Sequence, residues 1–184
     1  MSASRLIDVY LQEYQALKAE QTARIGFRDN LLYVTLVLFG GILSFSIGNQ
    51  NYYSLLVIPW ICLILGWTYL INDEKITSIG NYIQKSLAER ISELASGSDT
   101  DSMFRWEMIH RGDSSRRRRK IEQFIIDQIT FVASGVISVA AFLVLVSDKP
   151  LIIIALTATE VAFLSILSFE IAFYAELANR SLER

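Results

Sequence analysis

The chain has 184 residues, of which 52% are hydrophobic, and 17 Lys and Arg stand against 19 Asp and Glu. A mean hydropathy of +0.36 is high for a water-soluble domain. The net charge is small, but the charged residues are unevenly distributed along the chain. Residues 30–72 form a run of 43 residues without a charge. A single cysteine, Cys62, excludes an intrachain disulfide and a cysteine metal cluster. These features exclude a soluble globular domain and favour an integral membrane protein.

The apolar runs have the lengths of membrane spans. A bilayer core needs about 20 apolar residues per helix. The first run splits at a polar turn, residues 48–51, and a second run, residues 128–174, splits at residues 147–150. In lipid, backbone polar groups must be bonded within the segment, so the spans are helices. The sequence predicts an all-α fold with four transmembrane helices, arranged as two hairpins over residues 31–71 and 128–175.

The basic residues predict the orientation. Sixteen of the 17 Lys and Arg lie on one side of the four spans, and Lys149 is the exception. The positive-inside rule assigns that side to the cytoplasm. We therefore expect a multi-pass protein of the cytoplasmic (inner) membrane with both termini in the cytoplasm. Its cytoplasmic parts would be residues 1–30, 72–127 and 176–184. Because residues 1–29 contain no short apolar region, a cleaved signal peptide is not expected.

The cytoplasmic segments carry helical periodicity. Residues 4–28 have apolar side chains at helical spacing and predict an amphipathic helix that continues into the first span. After the second span, an apolar stripe recurs every three or four residues at Ile76, Ile79, Ile83, Leu87, Ile91 and Leu94. Asn72 or Asp73 would cap the start of this helix. The stripe would pack against the amino-terminal helix or against another subunit. A short helix at residues 103–111 and a third helix entering the third span complete the predicted layer.

Polar residues inside the spans are candidates for function. Glu160 lies about ten residues into the fourth span, near the predicted middle of the bilayer, and Glu170 lies almost three turns further on. Thr157 and Thr159 flank Glu160. Carboxyl groups at this depth normally face a bundle interior, a partner or water. Two interpretations follow: a ring of Glu160 side chains lines a cation path in an oligomer, or Glu160 is protonated and hydrogen-bonded to Thr or Ser on a neighbouring helix.

Small residues and a proline predict how the spans pack. Ser134 and Ser138 form a small-xxx-small pair in the third span, which allows helix backbones to approach. Pro59 removes a backbone N–H from the second span and predicts a kink there.

A basic run precedes the third span and consists of Arg116, Arg117, Arg118, Arg119 and Lys120. Such clusters attract anionic lipid headgroups and also fix membrane topology. A nucleic-acid partner is not expected, since residues 73–127 carry ten acidic and ten basic residues.

One pair of residues fits nuclease chemistry. His110 is the only histidine, and Arg105 precedes it by five positions. RNases of the HEPN class place an Arg and a His at this spacing, so the pair is a candidate catalytic site. The alternative is a packed helix in which His110 pairs with Glu107 or Asp113. No metal site or cofactor is expected, since one His and one Cys fall in different compartments.

Three sequence segments resemble those of a known protein family: residues 27–33 (FRDNLLY), 65–76 (LGWTYLINDEKI) and 104–111 (FRWEMIHR). They resemble the RipA family of small bacterial membrane proteins. That family is similar to the membrane accessory proteins of type VI CRISPR systems, which form octameric pores. The resemblance implies a homo-oligomeric ring with the cytoplasmic helices as its assembly or sensing surface.

Three functions therefore stand as predictions. The favoured one is a regulated pore or channel-like effector in a stress or defence response. The second is a non-conducting membrane scaffold that recruits a cytoplasmic protein partner. The third is a membrane-tethered RNase that uses Arg105 and His110.

Overall fold

The computed structural model describes residues 3–94 and 116–180, and within these ranges every regular element is a helix. The elements are α1 (Ala3–Asn49), a 3₁₀ turn (Tyr52–Leu56), α2 (Val57–Tyr82), a π-helical segment (Ile83–Leu87), α3 (Ala88–Leu94), α4 (Arg116–Asp127), a second π-helical segment (Gln128–Ala133), α5 (Ser134–Leu145) and α6 (Leu151–Arg180). The all-α prediction is confirmed. The predicted helix at residues 103–111 lies outside the described residues.

Four helical stretches are long and apolar enough to cross a membrane: Arg5–Asn49, Tyr52–Ile91, Arg118–Leu145 and Leu151–Ala175. Each contains one of the spans predicted from the sequence. By length and composition, the chain therefore fits a multi-pass membrane protein, as predicted.

The turn after α1 differs in detail from the predicted polar turn. Gly48 is still helical, and the residue in the left-handed conformation is Gln50, with φ of 53°. The N–H of Asn51 donates to the carbonyl of Ser46 at 3.1 Å, and the N–H of Gln50 donates to that of Ile47 at 3.3 Å. These two bonds define a Schellman motif, which satisfies the last carbonyls of the helix.

The chain divides into two compact units. The charged unit comprises residues 1–28 and 71–116, and the apolar unit comprises residues 29–70 and 117–184. The charged unit has its own small core. Ile83, Leu87 and Ile91 are buried, and Tyr10, Tyr14, Leu17 and Ile79 pack against them. The middle of the predicted apolar stripe, from Ile79 to Ile91, thus packs against α1 of the same chain.

Polar contacts within the charged unit join α1 to α2. The Arg28 guanidinium and the Asp73 carboxylate form an ion pair at 2.7 Å. The Asn72 side chain donates to the carbonyl of Arg24 at 2.7 Å. The prediction that Asn72 or Asp73 caps a helix is wrong, because α2 continues unbroken through both residues. Their side chains bind α1 instead.

The apolar unit has a core built from α1, the 3₁₀ turn, α2, the second π-helical segment, α5 and α6. Its fully buried members include Leu55, Cys62, Phe131, Phe142, Leu164 and Leu167. Two glycines permit close helix approach. A Cβ atom at Gly66 would lie 3.1 Å from Cβ of Phe131, and one at Gly135 would lie 2.8 Å from Cδ1 of Leu164.

Pro59 lies in the first turn of α2, directly after the 3₁₀ turn. The sequence predicts a kink at this residue. In the structure, the backbone adapts by a change of helix type just before the proline, where a missing N–H is best tolerated.

Candidate functional site around Glu160

Glu160 belongs to the buried stripe of α6. The buried residues of this helix recur at steps of three and four along one face: Thr157, Glu160, Leu164, Leu167 and Ile171. Glu160 is the tenth residue of α6, so it lies about 14 Å along the helix from Leu151. That is roughly half the thickness of a bilayer core. A carboxyl group therefore lies on the buried face of the helix, together with one threonine and three apolar side chains.

The Glu160 carboxyl group is fully enclosed, with 0% of the residue exposed. Neither carboxyl oxygen has a hydrogen-bond partner among the described residues. The indole of Trp60, on α2, lies beside the carboxyl group without meeting hydrogen-bond geometry. Trp60 in turn contacts Phe163 of α6, with ring centroids 6.2 Å apart. Buried polar groups without partners are rare in folded proteins, so this one calls for a functional explanation.

Contacts between α5 and α6 show what lies opposite Glu160. Gln128, just before α5, bonds to Ser168, and Gly135 faces Leu164. Of the two residues on the α5 side, the later one thus contacts the earlier residue of α6, as expected for two antiparallel helices. Continued along both helices, this progression places Ser138 within about one turn of Glu160.

The hydroxyl groups near Glu160 donate elsewhere. The Ser138 hydroxyl donates to the carbonyl of Leu55 at 2.6 Å, and that of Thr157 donates to the carbonyl of Ile154 at 2.9 Å. The hydrogen bond between Glu160 and a Thr or Ser of a neighbouring helix, which one interpretation of the sequence predicted, does not form in the described structure.

Glu170 occupies a different environment from Glu160. It lies beside the buried Ile171 and is only partly buried. Thr159 is exposed, and its hydroxyl donates to the carbonyl of Ala155 at 2.9 Å. Of the three intramembrane polar candidates, Glu160 and Thr157 thus share one buried face, and Glu170 lies at its edge.

No family model, curated protein or solved structure matches this chain. The interpretation of the site therefore depends on its geometry and on the sequence.

One polar pair in the core was missed by sequence reasoning. Gln128 and Ser168 exchange two hydrogen bonds, both at 3.0 Å: the Gln128 amide donates to the Ser168 carbonyl, and the Ser168 hydroxyl donates to the Gln128 side-chain oxygen. The only available signal was an amide and a hydroxyl at the ends of two apolar spans. Side chains that satisfy each other in this way let polar residues occupy an apolar core.

The predicted packing face of α5 is buried within the chain. Ser134 and Ser138 are both buried, and the Ser134 hydroxyl donates to the carbonyl of Ile129 at 3.2 Å. Gly135, between them, faces Leu164. The small residues thus allow α6 to approach α5 closely.

The basic run is helical from Arg116 onward. Arg118 and Arg119 are exposed, and Arg118 pairs with Glu122 at 2.7 Å. The Lys120 ammonium lies 6.0 Å from the ring centroid of Tyr174. The side chains of Arg116 and Arg117 lie outside the described residues.

Arg105 and His110, the candidate nuclease pair, also lie outside the described residues, so the nuclease stays a prediction. Within residues 3–94 and 116–180, no group of three His, Cys, Asp or Glu side chains is arranged to hold a metal ion.

Proposed function

We propose that the protein is a self-associating protein of the cytoplasmic membrane that acts as a regulated pore or channel-like effector in a stress or defence response. One observation supports this above the others: the buried, unpartnered carboxyl group of Glu160 near the middle of a span. An apolar side chain would pack there at no electrostatic cost. Ionisable residues at such depths mark ion or proton pathways in membrane proteins.

The proposed topology has two helical hairpins and both termini in the cytoplasm. The short connections at residues 50–51 and 146–150 fit hairpin turns. The charge asymmetry assigns them to the external side. The resemblance to the RipA family supports a ring of identical subunits.

In this proposal, the structure corresponds to a closed state. Glu160 is enclosed by the helices of its own chain, so a cation cannot reach it until α6 moves relative to α2 and α5. The charged unit is the proposed regulatory element. Its Arg28–Asp73 ion pair and its Asn72–Arg24 hydrogen bond fix α1 to α2, and both helices continue into the apolar unit.

Subunit contacts would use surfaces other than the small face of α5, since that face is already occupied. Exposed apolar side chains on α1 and α6 are available for other subunits and for lipid, among them Val37, Leu151 and Phe169.

Flux measurements test the proposal directly. The full-length protein would be reconstituted into vesicles that contain anionic lipid, and potassium efflux would be followed at several voltages and pH values. We expect the wild-type protein to conduct and Glu160→Gln to change the ratio of cation to anion permeability. Glu170→Gln is the matched control, because this carboxyl is only partly buried, and its effect should be small. Vesicles that stay tight under every condition would overturn the pore.

A non-conducting scaffold is the second candidate, and the exposed side chains of Arg118 and Arg119 favour it. The double variant Arg118→Gln, Arg119→Gln should then lose a cytoplasmic protein that co-purifies with the wild type. Lys85→Gln, which removes another exposed cation, should retain it. Tight vesicles combined with this specific loss would favour the scaffold over the pore.

A further inference from the structure

Three elements of the apolar unit surround Glu160, and none of them brings it a counter-charge. The indole of Trp60 approaches it from α2, and the contacts between α5 and α6 place Ser138 of α5 within about one turn of it. On α6 itself, Thr157 and Leu164 lie one turn away on either side. All four side chains are uncharged.

Other titratable groups of the spans are distant in sequence or neutral. Cys62 is a buried thiol on α2, two residues after Trp60. Residues 30–49 of α1 contribute no charge, and α5 contributes none. Glu170 is ten residues further along α6, and Asp148 and Lys149 lie in the turn before that helix. An ionised Glu160 would therefore be buried without a cation, and the donor beside it, the indole N–H of Trp60, does not meet hydrogen-bond geometry with either carboxyl oxygen.

An isolated carboxylate in an apolar interior is far less favourable than the neutral acid, and such groups bind a proton instead. We propose that Glu160 is a proton-binding site of the folded subunit, and that loss of its proton separates α6 from α2 and α5. In that step the O–H bond of the carboxyl group breaks, and the proton passes to water that enters between the helices. The carboxylate that remains is then hydrated.

Protonation and helix packing are linked in both directions. The closed packing favours the neutral acid, so the stabilisation that the site contributes is present at low pH and is lost as the pH rises through the ionisation of Glu160. Conversely, any signal that opens the helices lowers the proton affinity of the site. The proton site is argued from burial and missing partners alone. Only its consequence for conduction, a neutral closed state and a charged open state, rests on the proposed function.

Infrared spectroscopy tests the protonation state in lipid nanodiscs. A neutral carboxylic acid has a carbonyl band that is distinct from the carboxylate bands. At neutral pH we expect the wild-type spectrum to contain this band, Glu160→Gln to lose it, and Glu170→Gln to keep it. If Glu160→Gln instead removes intensity only from the carboxylate bands at neutral pH, Glu160 is ionised in the closed bundle and the proposal is overturned.

The native thiol of Cys62 reports the helix separation. Cys62 is fully buried in the core that also contains Leu164 and Leu167. Its reaction rate with a membrane-permeant maleimide would be compared between wild type and Glu160→Gln over a range of pH. Thiol ionisation affects both proteins, so the ratio of the two rates isolates the effect of Glu160. We expect this ratio to increase several-fold as the pH rises.

A ratio that stays at one across the range would refute the linked opening. If Glu160→Gln does not fold, the wild-type protein still decides the question, because its infrared acid band must disappear over the same pH range in which Cys62 becomes reactive relative to a free thiol at the same pH. Both measurements use sealed or non-conducting lipid samples, so a protein that passes no ions can still confirm the proton site. A conducting protein without the acid band would refute the proton site alone.

Discussion

At the scale of single residues, Ser138 replaces a backbone hydrogen bond that Pro59 cannot make. Pro59 has no N–H to donate to the carbonyl of Leu55, four residues earlier. The Ser138 hydroxyl donates to that carbonyl at 2.6 Å. In lipid, an unbonded carbonyl is unfavourable, and proline is tolerated in a span where a Ser or Thr side chain bonds the freed group. The pair therefore explains both the proline in α2 and the serine in α5.

Replacement of Ser138 by alanine tests this pairing. Ser138→Ala leaves the Leu55 carbonyl without its side-chain donor and should lower the free energy of unfolding by about 1–3 kcal/mol. The measurement is reversible unfolding in mixed micelles, followed by circular dichroism. Ser134→Ala is the matched control and should have a smaller effect. The Ile129 carbonyl that Ser134 contacts accepts the N–H of residue 134 as part of the π-helical segment, whereas the Leu55 carbonyl accepts the N–H of Val57, only two residues further on, in the turn.

A double-mutant cycle with Pro59→Ala assigns the effect to the proline. Alanine at position 59 restores an N–H that can donate to the Leu55 carbonyl, so Ser138→Ala should then be less destabilising. We expect a coupling energy of about 1 kcal/mol, within the range typical of residues that share a partner. An equal effect of Ser138→Ala in both backgrounds would show that the serine does not compensate for the proline.

At the scale of elements, Gly66 sets the approach of α2 to the second π-helical segment and α6. A Cβ atom there would lie 3.0 Å from Cγ of Phe131 and 2.9 Å from Cδ2 of Leu167, and both neighbours are fully buried. Gly66→Ala should therefore lower the free energy of unfolding by about 1–3 kcal/mol through overpacking. Gly41→Ala is the control, because nothing lies within 4 Å of its added Cβ. It should be neutral or slightly stabilising in the same unfolding assay.

The Arg28–Asp73 ion pair should stabilise the contact between α1 and α2 in the charged unit. The Asp73 side chain is only 9% exposed, so Arg28→Ala removes the guanidinium that pairs with a largely buried carboxylate. Because this removes one charged partner of a largely buried carboxylate, we expect a loss of about 1–3 kcal/mol, visible as a lower thermal midpoint. Arg118→Ala breaks the exposed pair with Glu122 and should leave the midpoint unchanged. Equal midpoints for both variants would show that the Arg28 pair contributes no more than a surface pair.

The elements also show how far the sequence could predict the fold. Span positions follow from the length and polarity of the apolar runs, so the four spans were predictable. The roles of Asn72 and Asp73 were not, because they depend on the rotation of α1 against α2. The two π-helical segments could not be predicted either, because they do not change the spacing of apolar residues in a recognisable way. Glu160 was identifiable as an intramembrane carboxyl, but its lack of a partner depends on where the hydroxyls of Ser138 and Thr157 donate.

At the scale of the whole molecule, the chain separates its polar contacts from its membrane-length apolar helices. The ion pair and hydrogen bonds between α1 and α2 fall in the charged unit, and the buried carboxyl of Glu160 falls in the apolar unit. The orientation of the chain in a membrane determines which compartment the charged unit faces.

Cysteine labelling tests the proposed orientation. In a Cys62→Ser background, the exposed residues Asp148 and Asp8 would each be replaced by cysteine. In right-side-out vesicles, a membrane-impermeant maleimide should label Asp148→Cys, which lies in the turn before α6. Asp8→Cys, in α1, should react only after the vesicles are permeabilised. The opposite pattern would invert the topology. Equal labelling of both positions in sealed vesicles would refute the two-hairpin arrangement, because its first three crossings lie between the two residues and place them on opposite sides of the membrane.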